Sequence, residues 1–99
     1  YDPLHPAVLR LMQLSAQAAL RARIPISICG EMAGNPRYTA LLLGLGIREL
    51  SMSAVTLPRV KERVRALDLM ASIRRVDMIM DQSDSKRIEL LLDDFNELT

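Results

Sequence analysis

The chain is short of several things that mark common protein classes. Of its 99 residues one is cysteine, one is histidine and none is tryptophan, and aromatic residues amount to 3%. A single thiol closes no internal disulfide, and with one histidine and no second thiol it builds no zinc site. A reducing compartment, by default the cytoplasm, is therefore expected. Charge of one sign is also missing. Thirteen Lys and Arg stand against twelve Asp and Glu, a formal net charge of +1 that sets up no field for a polyanion, so no nucleic-acid partner is expected. No uncharged stretch approaches the ~20 apolar residues that cross a bilayer. Nor does any segment show the basic, apolar and small-residue order of a signal peptide. Neither membrane insertion nor export is expected. The opening Tyr1-Asp2-Pro3 lacks a leading methionine, which reads as a piece of something longer. What is present is ordinary for a globular chain, 49% hydrophobic and 25% charged residues. Six methionines among many Leu, Ile, Val and Ala predict an aliphatic, adaptable core.

Hydrophobic spacing predicts the elements. A helix runs from about Pro6 to Arg23, with Val8, Leu9, Met12, Ala16, Ala19 and Leu20 on its apolar face and Pro6 suited to the first helical position. Ile24 to Cys29 is short and β-branched, a strand that starts near Pro25 and ends at Gly30. Gly30 to Asn35 reads as a loop, and Asn35-Pro36 caps and opens a second helix that carries Tyr38, Leu41, Leu42 and Leu45. That helix stops in Gly44-Leu45-Gly46, where a left-handed cap costs glycine little. Ile47 to Met52 is a second strand, Ser53 to Leu57 a loop, and Pro58 to Leu67 a helix with an inward stripe of Val60, Val64 and Leu67. The order αβαβα predicts an α/β fold with parallel strands and ligand chemistry at the strands' carboxyl ends, here Cys29-Gly30 and Ser51-Met52-Ser53. After Asp68 the pattern turns purely helical, with Leu69, Met70, Ile73, Val76, Ile79 and Met80 in one stripe and Ile88, Leu91, Leu92, Phe95 and Leu98 in another. Ser83 to Ser85 separates and caps the two.

Most chemistry-bearing residue types here have an ordinary structural reading. Gly44-Leu45-Gly46 closes a helix, whereas dinucleotide-binding glycines open one, and Gly30 to Gly34 lacks the Gly-Lys-Ser/Thr ending of a P-loop. His5, between two prolines, reads as a cap or a surface residue. Arg37, Arg48, Arg59, Arg63, Arg74 and Arg75 are scattered and read as solvated charge. Asp93, Asp94 and Glu97 read as a solvated helix face rather than a metal site. Glu31, just after Cys29-Gly30, either accepts backbone N–H groups or tunes the thiol. Cys29 is the candidate of interest, a thiol at a strand's carboxyl end followed by glycine. From spacing alone a buried structural thiol remains the commoner alternative.

Four segments taken together resemble one family. Tyr1-Asp2-Pro3-Leu4-His5-Pro6-Ala7-Val8-Leu9, Cys29-Gly30-Glu31-Met32-Ala33-Gly34, Leu41-Leu42-Leu43-Gly44-Leu45-Gly46 and Ser51-Met52-Ser53 are similar, in order, to the C-terminal part of the phosphoenolpyruvate-protein phosphotransferases. These are enzyme I of the bacterial phosphotransferase system, within the PEP-utilising family. Pyruvate phosphate dikinase and phosphoenolpyruvate synthase share a related Cys-Gly-Glu segment, and a piece of such a relative is an alternative. The Tyr-Asp-Pro and Ser-Met-Ser surroundings resemble enzyme I more. Asn35 stands where the family often has Asp, an exchange of one capping residue for another.

The resemblance implies the last quarter of a (β/α)8 barrel over residues 1–67, incomplete as a barrel, and a C-terminal helical extension over residues 68–99. A whole barrel takes about 250 residues. It implies transfer of the phosphoryl group of phosphoenolpyruvate to a histidine on a separate N-terminal domain and on to the histidine phosphocarrier protein, with pyruvate released. Cys29 would act as general acid toward the enolate, in a neutral setting beside Ile28 and Met32. Gly30 would leave room for the ligand, Glu31 would hold the loop, and Ser51 and Ser53 would lie in a phosphate-binding loop. Mg2+ is implied as a cofactor, with its ligands on strands outside this chain. A homodimer is implied too, and an association module is the competing reading, since strands without neighbours and Met-rich helices leave edges and apolar surface exposed.

Overall fold

Helix α1 (Pro6–Ala22) starts where His5 holds extended backbone and its Nδ1 accepts the Ala7 N–H at 3.1 Å, with Pro6 in the first turn. His5 is thus a helix cap. The computed structural model describes residues 2–98; Tyr1, where the family resemblance begins, and Thr99, where the expected extension ends, lie outside the described residues. After α1 come β1 (Ser27–Cys29), α2 (Glu31–Gly34), a 3-10 turn (Pro36–Tyr38), α3 (Thr39–Leu45), β2 (Glu49–Ser51), α4 (Leu57–Ala66), α5 (Leu69–Met80) and α6 (Ser85–Leu98). The arrangement is α/β, mostly helical with one two-stranded parallel sheet. No helix among the described residues is long and apolar enough to cross a membrane.

Both strands are shorter than their β-branched stretches predict, because only three positions on each find a partner: Ser27 opposite Glu49, Ile28 opposite Leu50 and Cys29 opposite Ser51. Side chains alternate across a strand. Ile28 and Leu50 turn toward the helices, where with Ile26 they pack on buried Ala16, Leu42 and Ile47. Ser27, Cys29, Glu49 and Ser51 face the other way and are exposed. The sheet therefore has one covered face and one open, polar face.

The segment expected to be a loop after Gly30 is instead a single helical turn, α2. Gly30 adopts φ 84°, ψ −158°, which turns the chain sharply enough for the Gly34 N–H to reach the Gly30 carbonyl at 3.1 Å. Asn35 caps the next turn, its Oδ1 accepting the Arg37 N–H at 3.0 Å, but that turn is 3-10 and the α-helix starts only at Thr39. α3 ends at Gly46 in the left-handed region (φ 108°), as the glycine pair predicts. Gly44 has a separate job inside the helix. A methyl group there would run into the Val76 side chain and lie 2.7 Å from the Ser72 carbonyl oxygen, so α3 and α5 approach as closely as they do only because position 44 is glycine.

The main core joins Leu4 and Leu9 before and within α1, Leu41 and Leu45 of α3, Val76 and Ile79 of α5, and Ile88 and Leu92 of α6. Burying each such side chain contributes about 1.5–3 kcal/mol. The stripes predicted from spacing run too wide at their ends. Leu20, Val64, Leu69, Met70 and Leu98 lie near helix ends and are exposed. Between α5 and α6 the cap falls within the expected Ser83 to Ser85 segment, where the Asp84 side chain accepts the Lys86 N–H at 3.1 Å.

Candidate active site

The carboxyl ends of β1 and β2 open into a cavity of about 560 Å³ lined by Cys29, Gly30, Glu31, Gly34, Ser51, Met52, Ser53 and Thr56. All four site residues expected from the sequence, Cys29, Gly30, Ser51 and Ser53, lie on this one cavity. Parallel pairing accounts for it: Cys29 and Ser51 are register partners at the last rung, so the chains leaving them, Gly30-Glu31 and Met52-Ser53, form opposite rims.

Cys29 is exposed on the open face of the sheet. Its expected apolar neighbours are elsewhere. Ile28, adjacent in sequence, points through the sheet to the helices, as alternation requires. Met32 is directed into the core, packed against both buried clusters. The thiol's surroundings on the cavity are instead two glycines, hydroxyl side chains, one methionine and one carboxylate.

Gly30 leaves open space, since a methyl group there meets nothing within 4 Å, but its necessity comes from backbone conformation. The combination of φ 84° with ψ −158° belongs to a region that only glycine occupies readily. Gly30→Ala is therefore expected to destabilise by about 1–3 kcal/mol, lowering the melting temperature by about 4–8 °C per kcal/mol. An unchanged melting temperature on calorimetry would remove this explanation of the turn.

Thr56 and Gly34 complete the cavity wall, and sequence reasoning does not single them out as site residues. Thr56 donates its hydroxyl to the Ser53 carbonyl at 3.1 Å and its N–H to the same oxygen at 3.2 Å, closing the Ser53–Thr56 turn. Gly34 lies close to that turn across the cavity: a methyl group on it would lie 3.0 Å from Thr56 Oγ1 and 3.5 Å from Met52 Cβ. The two rims thus meet at Gly34 and Thr56. The Ser-x-x-Thr spacing is a visible signal for the turn, while the cross-rim contact has none. Glu31 is exposed at the edge, and the segment it was expected to hold is fastened by the Gly30–Gly34 backbone bond and this rim contact.

None of the lining residues is a cation, so the cavity by itself holds no counter-charge for a phosphate. Of the arginines, Arg37 is engaged with α6 rather than simply solvated. Its Nε and Nη2 donate to Oδ1 and Oδ2 of Asp93 at 2.9 and 3.1 Å, and Nη2 lies 3.2 Å from a carboxylate oxygen of Glu89. The paired carboxylate raises the Arg37 pKa well above its ordinary value. Asp93 was expected on a solvated face; an arginine 56 positions away in sequence pairs with it instead. Arg48 Nη1 donates to the Leu43 carbonyl at 2.6 Å and the Ile47 carbonyl at 3.1 Å, closing the end of α3. Arg75 lies over the Phe95 ring at 5.6 Å. Burial alone lowers the Arg63 pKa.

An α/β sheet with a thiol and a hydroxyl-bearing turn at its strand tips is a layout for small-ligand chemistry. Residues 1–69 match the family described as PEP-utilising enzyme, PEP-binding domain, and the chain belongs to that family. It is 48% identical over 82 residues to the phosphoenolpyruvate-protein phosphotransferase of Cupriavidus necator, covering 83% of this chain and 13% of that protein. Against the phosphoenolpyruvate-protein phosphotransferase of Haemophilus influenzae it is 35% identical over 95 residues, 96% of this chain and 16% of that protein. Multiphosphoryl transfer protein 1 of Escherichia coli is 39% identical over 95 residues, 96% of this chain and 11% of that protein. The chain thus spans less than a fifth of the length of these relatives.

Proposed function

We propose that the chain is the proton-donating sector of a phosphoenolpyruvate-protein phosphotransferase, residues 1–67 being the last quarter of its (β/α)8 barrel and residues 68–99 a helical extension. One observation carries the reading: Cys29 shares the strand-tip cavity with Ser51 and Ser53 in a chain of the PEP-utilising family. The open, polar face of the sheet supports the barrel part of the reading, since alternate side chains of a barrel strand point inward while the others meet the helices.

In the parent enzyme the P–O bond of phosphoenolpyruvate breaks and the phosphoryl group passes to a histidine of another domain, then to the histidine phosphocarrier protein. The electron pair left behind forms the enolate of pyruvate. Cys29 gives its S–H proton to the methylene carbon, pyruvate leaves, and the thiolate recovers a proton from water. A general acid must hold its proton when the carbanion forms. Gly30 and the Ser51–Ser53 rim lie against the substrate.

Magnesium does not fit this chain's residues. Among the described residues no three His, Cys, Asp or Glu side chains stand close enough to hold a metal ion, and the cavity offers Glu31 as its one carboxylate. A Mg2+ site needs near-octahedral oxygen coordination; in the proposed reading its protein ligands lie on other strands of the parent. In this reading the isolated chain is inactive. Its place of action is the cytoplasm, where its one cysteine stays reduced. Replacing Cys29 by Ala in the full-length parent and measuring pyruvate formation tests the reading.

A second reading, self-association into a homodimer, is favoured by Leu11, Leu14 and Leu20, which are 66%, 48% and 78% exposed along α1, and by the unpaired outer edges of a two-stranded sheet. Sedimentation at tens of micromolar (roughly the range where weak interfaces form) is expected to show dimers or larger species. A sharp monomer boundary contradicts it.

A further inference from the structure

We infer that helix α6 is a positioning element for the Cys29 cavity, acting through Arg37, Arg63, Asp93 and Asn96; this rests on the function proposed above. The two rims of the cavity continue into different elements. Cys29 to Gly34 runs on into the 3-10 turn that holds Arg37, and Ser51 to Thr56 runs on into α4, which holds Arg63. α6 is fastened to both. Asp93 accepts two hydrogen bonds from the Arg37 guanidinium. Asn96 accepts from Arg63 Nη2 at 2.8 Å and donates to the Arg37 backbone carbonyl at 3.0 Å. Arg37 is therefore held at its side chain and its carbonyl by α6, and at its N–H by Asn35. Only two residues separate it from Gly34, the point where the rims touch.

The geometry separates positioning from folding. The Arg37 and Asp93 side chains are 32% and 47% exposed, and exposed pairs contribute little to stability. The apolar side chains Ile88, Leu92 and Phe95 hold α6 in place without them. Loss of the clamp leaves the helix docked and lets the rims shift, and a displacement of about 1 Å at a reacting centre can cost up to a hundredfold in rate. A planar arginine fork that a lysine cannot reproduce points to geometry as the clamp's contribution.

The test uses the full-length enzyme with Asp93→Ala, Asn96→Ala, Arg37→Lys and Asp93→Glu, and Cys29→Ala beside them. Asp93→Ala and Arg37→Lys are expected to lower kcat for pyruvate formation about tenfold or more with KM within about twofold. Alkylation of Cys29 by iodoacetamide, followed on its own peptide by mass spectrometry, is expected to run roughly threefold faster. Melting temperatures stay within about 4 °C of the parent, and Asp93→Glu recovers most of the rate. Unchanged kcat and alkylation in these variants, with Cys29→Ala inactive, overturns the clamp while leaving the proposed function standing. A kcat loss that merely follows a fall in melting temperature overturns it as well. A fully active Cys29→Ala enzyme removes the proposed function, and alkylation alone then decides whether α6 positions the rims.

Discussion

Cys29→Ala in the full-length enzyme is expected to slow pyruvate formation about 10²–10⁴-fold, with KM for phosphoenolpyruvate changed by no more than about threefold. The size follows from the step removed. Transfer of the phosphoryl group leaves a carbanion whose collapse to pyruvate needs a proton at carbon, and alanine supplies none. Without it the enolate either takes the phosphoryl group back or waits for water. KM holds because the methylene carbon is a weak binding handle, whereas the enolate's interaction with the acid exists only along the reaction path. Cys29→Ser keeps a similar shape but replaces the thiol proton with a far less acidic hydroxyl proton, so its rate is expected near that of Cys29→Ala. Steady-state assays of pyruvate release decide this. A Cys29→Ala rate within about twofold of the parent means the proton comes from elsewhere.

Gly44→Ala is expected to destabilise the packing of α3 on α5. Its new methyl group collides with Val76 and sits 2.7 Å from the Ser72 carbonyl oxygen, a backbone atom that cannot swing away. α3 and α5 must then separate, loosening Leu41, Leu45, Val76 and Ile79, which share the main core. Overpacking of this kind costs about 1–3 kcal/mol and sometimes more, against a helix-propensity gain of about 1 kcal/mol for Ala over Gly. The net cost of up to about 2 kcal/mol should lower the melting temperature of the chain by up to about 15 °C. Gly46 is a contrasting case: a methyl there meets only Ala16 Cβ at 3.3 Å, and its φ of 108° makes the penalty one of backbone conformation. A Gly44→Ala protein as stable as the parent contradicts the close packing of α3 on α5.

The elements with strong local signals were legible in the sequence. Pro6, Asn35 and Gly46 carry backbone preferences that hold in any tertiary setting, and each sits where its chemistry predicts, at a helix start, a cap and a left-handed stop. Cys29 and Ser51 were legible as strand ends, and their meeting on one cavity follows once the strands pair in parallel. The features that escaped needed partners distant in sequence. Ile28 and Met32 flank the thiol along the chain, yet alternation and core packing send both away from it. Leu20 and Val64 continue apolar stripes yet remain exposed, 78% and 43%. The turn at α2 depends on Gly30 taking a conformation that composition does not announce. Asp93 and Asn96 look like ordinary helix-surface residues until α6 lies beside Arg37 and Arg63, a placement decided by the apolar side of the helix. Membership of the PEP-utilising family was legible for a different reason. Four motifs in fixed order identify it jointly, and the family match covers residues 1–69.

Methyl-group stereochemistry tests proton transfer from Cys29 most directly. Stereospecifically labelled phosphoenolpyruvate, turned over by the full-length enzyme in isotopic water, acquires its third methyl hydrogen either from a fixed side or from both. A thiol anchored at the end of β1 delivers to a single face, so the parent is expected to release pyruvate with a chiral methyl group. The Cys29→Ala enzyme is expected to release it racemic, the enolate having been protonated by water. A chiral product from Cys29→Ala, formed at the parent's rate, would contradict the role assigned to this cysteine.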